Sequence, residues 1–169
     1  PIPTRSKQAN IKWEPYQTRT PTDVEINSWK SNGTTNLAIV CGAVSGNLIV
    51  IDFDDKEKFH KYCDLLLDKG IDLFTYTRLV RTSKGVHVYY RLPATIKSTK
   101  FPQIDLKAEG GYVLAPPSIH PSGFPYELIN PDVPVRQITS LKDVGIDDRK
   151  PIGMEKTNQP GWVSQLLNG

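Results

Sequence analysis

Cysteine is almost missing from this 169-residue chain: Cys41 and Cys63 are the only two. They stand far apart and form no Cys-x-x-Cys, which argues against a disulfide framework or a zinc cluster and fits a reducing compartment. No apolar run approaches the roughly 20 residues needed to span a bilayer, and no signal-peptide pattern is visible. The expectation is therefore a cytoplasmic, intracellular protein with no membrane partner. A strong charge of one sign is lacking too. Lys and Arg number 21 against 18 Asp and Glu, a net +3 that suits a polyanionic partner without requiring one. Neither an internal repeat nor a low-complexity tract interrupts the chain. What remains is ordinary globular composition, 38% hydrophobic and 23% charged, long enough for one domain with a real core.

The most informative stretch is Asn47-Leu48-Ile49-Val50-Ile51-Asp52-Phe53-Asp54-Asp55. A short apolar, β-branched run after Gly46 reads as a buried strand. Side chains alternate along a strand, so Asp52 and Asp54 share one face while Phe53 and Asp55 take the other. Paired carboxylates at a strand end suit a hard divalent cation. The competing reading is a strand that leaves the core and ends in solvating acids.

Around it, residues 1–21 read as an extended Pro/Thr/basic lead-in, with Lys7, Lys12 and Trp13 standing out and Trp13 docking on the core. Thr22-x-x-Glu25 is a capping box that opens a helix of about ten residues, with Val24, Ile26 and Trp29 as apolar anchors. Asn36–Val40 reads as a strand that forms a hairpin with Leu48–Asp54. Asp54 or Asp55 caps a helix over Lys56–Lys69, closed by Gly70. Phe59, Tyr62, Cys63, Leu66 and Leu67 face a sheet, and His60 lies on the solvated side. Phe74–Arg81 and Val86–Leu92 read as strands joined by the turn Thr82-Ser83-Lys84-Gly85. Residues 93–103 read as a loop. Ile104–Lys107, Tyr112–Ala115 and Tyr126–Ile129 read as short strands, with a rigid Pro-rich loop over residues 116–123. Residues 1–144 form the expected core. Residues 145–169 read as a linker with a short helix at Trp162–Leu167, and the abrupt tail suggests a piece of a longer protein.

Three polar clusters sit at strand ends or turns: Asp52 with Asp54; Arg81, Ser83, Lys84, Gly85 and His87; and Asp105 with Lys107, followed by Gly110-Gly111. Three carboxylates offer cation ligands, while the basic groups and turn N–H groups offer phosphate donors. Together these are the parts of phosphoryl or nucleotidyl transfer. Singly, each has a plainer reading: a structural histidine, a surface ion pair of little energetic weight, a simple turn.

The wording of these blocks resembles the primase-polymerase branch of the archaeo-eukaryotic primase superfamily, found in plasmid, phage and archaeal replication proteins. The resemblance runs over roughly residues 5–130. It is carried by Ser45–Asp54, by Arg81–Arg91, and above all by Asp105-Leu106-Lys107-Ala108-Glu109-Gly110-Gly111-Tyr112-Val113-Leu114-Ala115-Pro116-Pro117-Ser118, with His120, Gly123 and Tyr126 after it. It implies an α+β fold: a two-module core with an RNA-recognition-motif-like palm and mixed or antiparallel sheets flanked by helices. By resemblance, Asp52, Asp54 and Asp105 are catalytic and hold two Mg²⁺ or Mn²⁺ ions. Arg81, Ser83, Lys84, Gly85, His87, Lys107, Gly111 and Tyr112 bind the nucleotide, and Tyr112 or Tyr89 is the candidate to approach the sugar. Lys84 stands where Gly is common, and no Cys/His cluster matches the zinc insertion of some relatives, so no zinc is expected.

The implied activity is template-directed nucleotidyl transfer, a DNA polymerase with primase activity left open. Its partners would be a DNA template-primer, dNTPs with rNTPs left open, and a downstream helical or helicase domain in the full-length chain. Three other readings compete. Asp52 with Asp105-x-Lys107 mimics a metal-dependent nuclease site. An inactive nucleotide- or DNA-binding replisome module would keep the fold without the chemistry. An Asp-x-Asp glycosyltransferase is a weak fourth.

Overall fold

The computed structural model describes residues 1–32, 36–101 and 104–147. In chain order the helices are α1 (Asp23–Ser31), α2 (Lys56–Leu67) and α3 (Leu73–Tyr76). The strands are β1 (Leu37–Val40), β2 (Leu48–Phe53), β3 (Leu79–Arg81), β4 (Val86–Arg91), β5 (Thr99–Lys100), β6 (Asp105–Lys107), β7 (Tyr112–Ala115), β8 (Glu127–Leu128) and β9 (Arg136–Gln137). The fold is α+β with mainly antiparallel sheets. The larger sheet runs β5-β6-β2-β4-β3-β8, with β9 parallel to β4 beyond the end of β3, and the smaller pairs β1 with β7. β2 and β3 both lie antiparallel to β4. They are therefore parallel to each other and need the α2 crossover between them. With β6 on the far side of β2, this is the sheet order of an RNA-recognition-motif-like palm.

β2 is central because both its faces are apolar, as a strand covered on two sides requires. Ile49, Ile51 and Phe53 join Val86, Val88 and Tyr90 in one core, closed by Phe59, Tyr62, Cys63 and Leu66 of α2. Leu48 and Val50 join Tyr89, Val113 and Leu114 in a second core, under the small sheet. Asp55 caps α2, accepting hydrogen bonds from Glu57 N at 2.8 Å and Lys58 N at 3.2 Å. At α1 the capping box forms as expected, with Thr22 N donating to Glu25 Oε2 at 2.7 Å and Glu25 N to Thr22 Oγ1 at 3.3 Å.

Several expectations are corrected. β1 and β2 are not a hairpin: β1 pairs with β7 along Leu37↔Ala115 to Val40↔Tyr112, and β2 lies between β4 and β6. Gly42 at φ +90° and Gly46 at φ +70° swing the chain from one sheet to the other. The stretch from Phe74 opens as the short helix α3, because Asp72 accepts from Phe74 N at 3.0 Å and caps it. Within the expected loop of residues 93–103, Thr99–Lys100 adds an edge strand. Val24 is 79% exposed and anchors nothing. His60 is half-buried, with Nε2 shielded from solvent. The N-terminal segment is more than a lead-in, since Ile2 is buried in the second core and its N–H donates to Asn36 O at 3.0 Å. Ile146 packs in the first core, two residues past the expected boundary. From residue 148 onward, the expected linker and its helix lie outside the described residues.

Candidate active site

Strand register gathers the acids. Asp52 of β2 is opposite His87 of β4 on one side and Asp105 of β6 on the other. Residues opposite one another on neighbouring strands project to the same face, so Asp105, Asp52 and His87 form one row across the sheet, on the face away from α2. Lys107 is opposite Val50, one pleat further along that face. Asp54 lies just past the end of β2 and faces the same cavity, while Phe53 turns inward.

The cavity, about 450 Å³, is lined by Asp52, Asp54, Ser83, His87, Asp105 and Lys107, and by Gly110, Gly111 and Tyr112. Its size is within the roughly 300–1,000 Å³ typical of small-molecule sites. It opens where the small sheet stops covering the large one.

His87 Nε2 lies 3.3 Å from Asp52 Oδ1, and Nδ1 is buried without a partner. Burial alone would raise the Asp52 pKa. The hydrogen bond and charge of His87, with Lys107 and Lys7, outweigh it and leave the carboxyl below its ordinary value. Asp105 Oδ2 accepts from Lys107 Nζ at 3.0 Å and has Lys100 Nζ at 3.9 Å. Tyr126 packs its ring 5.8 Å from His87. Its hydroxyl is pushed up to about 12 by burial first and then by Asp52 and Asp54.

Among the described residues, no three His, Cys, Asp or Glu side chains are gathered closely enough to ligate one metal ion. Asp105 is turned toward two lysines, Lys107 and Lys100. By chemistry the donor set still fits a hard cation, since three carboxylates of one row and its strand end face a shared polar cavity.

Not every expected site residue comes here. Arg81 is opposite Val86, hence on the α2 face of the sheet, and donates to Glu127 Oε2 at 2.8 Å. Strand alternation sends it away from His87. Lys84 is exposed on the turn, with its side chain off the cavity wall. Gly85 has a packing role: a Cβ there would stand 2.0 Å from Phe53 O and 3.2 Å from Asp55 N. The turn presses against the end of β2 and fixes where the acids emerge. Tyr89 is 3% exposed beneath the small sheet and off the cavity.

Sequence reasoning had not placed Lys7, Trp13, Thr82, Ser98 or Tyr126 on this wall, where the fold brings them. Thr82 ties the turn, accepting from Gly85 N at 3.1 Å. Ser98 accepts from Ala108 N at 2.9 Å and donates to Glu109 O at 3.1 Å. The hydroxyl at a turn start was a readable signal for Thr82. Nothing local marked Ser98 or Lys7.

A protein-family model described as Prim-Pol, bifunctional DNA primase/polymerase, N-terminal, matches residues 1–143. No curated protein matches the chain.

Proposed function

The chain belongs to the bifunctional DNA primase/polymerase family, and on that premise we propose that it extends a primer by a two-metal mechanism built on Asp52, Asp54 and Asp105. The family supports nucleotidyl transfer, with DNA and nucleotides as substrates. The observation that carries the finer reading is the register row Asp105–Asp52–His87 over a polar cavity. No described helix is long and apolar enough to cross a membrane.

Asp52, Asp54 and Asp105 would hold Mg²⁺ or Mn²⁺, which when bound eases ionisation of a primer 3′-hydroxyl and neutralises charge on departing pyrophosphate. Asp105 must first leave Lys107, and that exchange frees the Lys107 ammonium for a phosphate oxygen. His87 orients Asp52 through the Nε2 contact, in the way outer partners orient metal-ligating carboxylates. The Ser83–Gly85 turn lies beside the row, and Ser83 would offer its hydroxyl and backbone N–H to the triphosphate, since the Lys84 and Gly85 N–H groups already donate to Thr82 Oγ1. In the reaction the 3′-hydroxyl gives its proton to solvent, its oxygen bonds to the α-phosphorus, the bond from that phosphorus to the bridging oxygen breaks, and the electron pair of that bond leaves with pyrophosphate.

Primer extension tests this. With primer-template, dNTPs and Mg²⁺ or Mn²⁺, the protein should lengthen the primer, and Asp52→Ala or a chelator should abolish it. Shortening of the DNA without dNTPs would instead identify a nuclease. Binding of DNA or nucleotide with neither outcome would leave an inactive replisome module. Synthesis on a bare template separates priming from extension.

A further inference from the structure

One cation on the catalytic cavity comes from outside the three strand clusters. Lys7, in the N-terminal segment, lines the same wall as Asp52, Asp54, His87, Asp105 and Lys107. Its charge bears on Asp52 within the cavity and on His120 outside the cavity lining. Against burial, it acts with His87 and Lys107 to hold Asp52 down, and together with burial it lowers His120. Lys107 is engaged with Asp105 at 3.0 Å. Lys7 is exposed, and the described residues supply no salt-bridge partner for it.

The segment is a strap fixed on both sides of Lys7. Upstream, Ile2 is buried in the second core. Downstream, Tyr112 clasps it: Tyr112 Oη donates to Lys7 O at 3.0 Å and accepts from Ala9 N at 3.4 Å. Trp13 then packs edge-on against the Tyr112 ring at 4.9 Å between centroids. The strap thus fixes the Lys7 backbone at the cavity while its side chain keeps its freedom. A lysine is a compact charge with three donors on a flexible stem, suited to an anion whose oxygens shift during a reaction.

We propose that Lys7 is a further polyphosphate-binding residue, and that Tyr112 positions it by holding the strap. The ligand is the triphosphate of the incoming nucleotide, gripped between Lys7 on the strap and Lys107 with the Ser83–Gly85 turn on the sheet. The inference rests on the nucleotidyl-transfer reading and deepens it. Tyr112 acts through Lys7, a different role from direct contact with base or sugar.

The test is calorimetric binding of a dNTP, and separately of inorganic triphosphate, in the presence of Mg²⁺ without primer. Lys7→Ala should weaken both by roughly tenfold, the size of one charge-assisted contact, and Lys7→Arg should restore most of it. Tyr112→Phe should weaken both by several-fold in the wild-type background and by nothing further in the Lys7→Ala background. The melting temperature should stay unchanged in Lys7→Ala, since Lys7 is exposed, and fall slightly in Tyr112→Phe, which keeps the ring and loses two hydrogen bonds. Unchanged affinity in Lys7→Ala, or fully additive effects of the two substitutions, would overturn the proposal while leaving primer extension intact. A wild-type protein that binds no dNTP and extends no primer would instead overturn the underlying function.

Discussion

The two faces of β2 and β4 differ in what they bury and what they expose to the cavity. On the α2 side Ile49, Ile51, Phe53, Val86, Val88 and Tyr90 are each at most 1% exposed. On the other side Leu48, Val50 and Tyr89 begin the same way, under the small sheet, and the row then turns to Asp52, His87 and Asp105 where that cover ends. One pair of strands is a dry core on one face and a polar site on the other. The dry face holds the backbone still, so the polar face can keep Asp52 and Asp105 in register, with Asp54 just beyond the strand end. Damage to one face should therefore appear as lost stability, and damage to the other as lost activity.

The largest effect should come from the polar face. Asp52→Ala should cut primer extension by about 10³-fold or more, roughly 4 kcal/mol in the barrier. Its melting temperature should fall only modestly at neutral pH, because His87, Lys107 and Lys7 outweigh burial and favour the ionised carboxyl that the substitution removes. Extension at near wild-type rate would break the division of labour between the faces.

Leu66→Ala strikes the other face. Leu66 is fully buried on α2, and the cavity it leaves should cost about 3 kcal/mol in denaturant unfolding. Activity per folded molecule should hold. A fall in activity well beyond the fraction unfolded would mean that the dry face also steers the chemistry.

Gly85→Ala sharpens the comparison, because Gly85 is where the faces are coupled. The added methyl meets Phe53 O, a backbone atom that cannot rotate aside. Overpacking of this kind costs about 1–3 kcal/mol. The forced shift also moves the end of β2 that presents Asp54, so activity should fall further than stability predicts. Loss in strict proportion to stability would limit Gly85 to packing.

The asymmetry also explains what could be read from the chain. The faces of β2, β4 and β6 follow from strict alternation, so the shared face of Asp52 and Asp54 and the inward turn of Phe53 were legible, whereas the place of Asp105 beside them depends on the pairing of β2 with β6. Pairing was less so. The apolar run at Leu37–Val40 does not name its partner, and Tyr112–Ala115, far along the chain, outcompetes the neighbouring strand. Alternation applied one strand further would have sent Arg81 to the face opposite His87, since the Thr82–Gly85 turn fixes their register. Lys7 and Ser98 come to the cavity by tertiary packing, through a clasp at Tyr112 and a bond to Ala108 N, and neither contact leaves a local pattern.

The smallest effect concerns acid stability and separates the faces by their response to pH. In metal-free protein, the Asp52 carboxyl sits below its ordinary pKa: burial pushes it up, but His87, Lys107 and Lys7 together pull it further down. A folded pKa below the unfolded one means that the charged form contributes stability above the unfolded value, about 4. That contribution is lost as pH falls through the folded value. In chelator, the stability advantage of wild type over Asp52→Asn should therefore shrink as pH drops below about 4. The deficit of Leu66→Ala should stay flat over the same range, because nothing titrates at that position. Lys7→Ala should reduce the Asp52 effect, since it removes one of the charges that holds the carboxylate. If the advantage instead grew on acidification, burial would outweigh the cations. Asp52 would then be stored as a neutral acid on a face no more polar in practice than the one opposite.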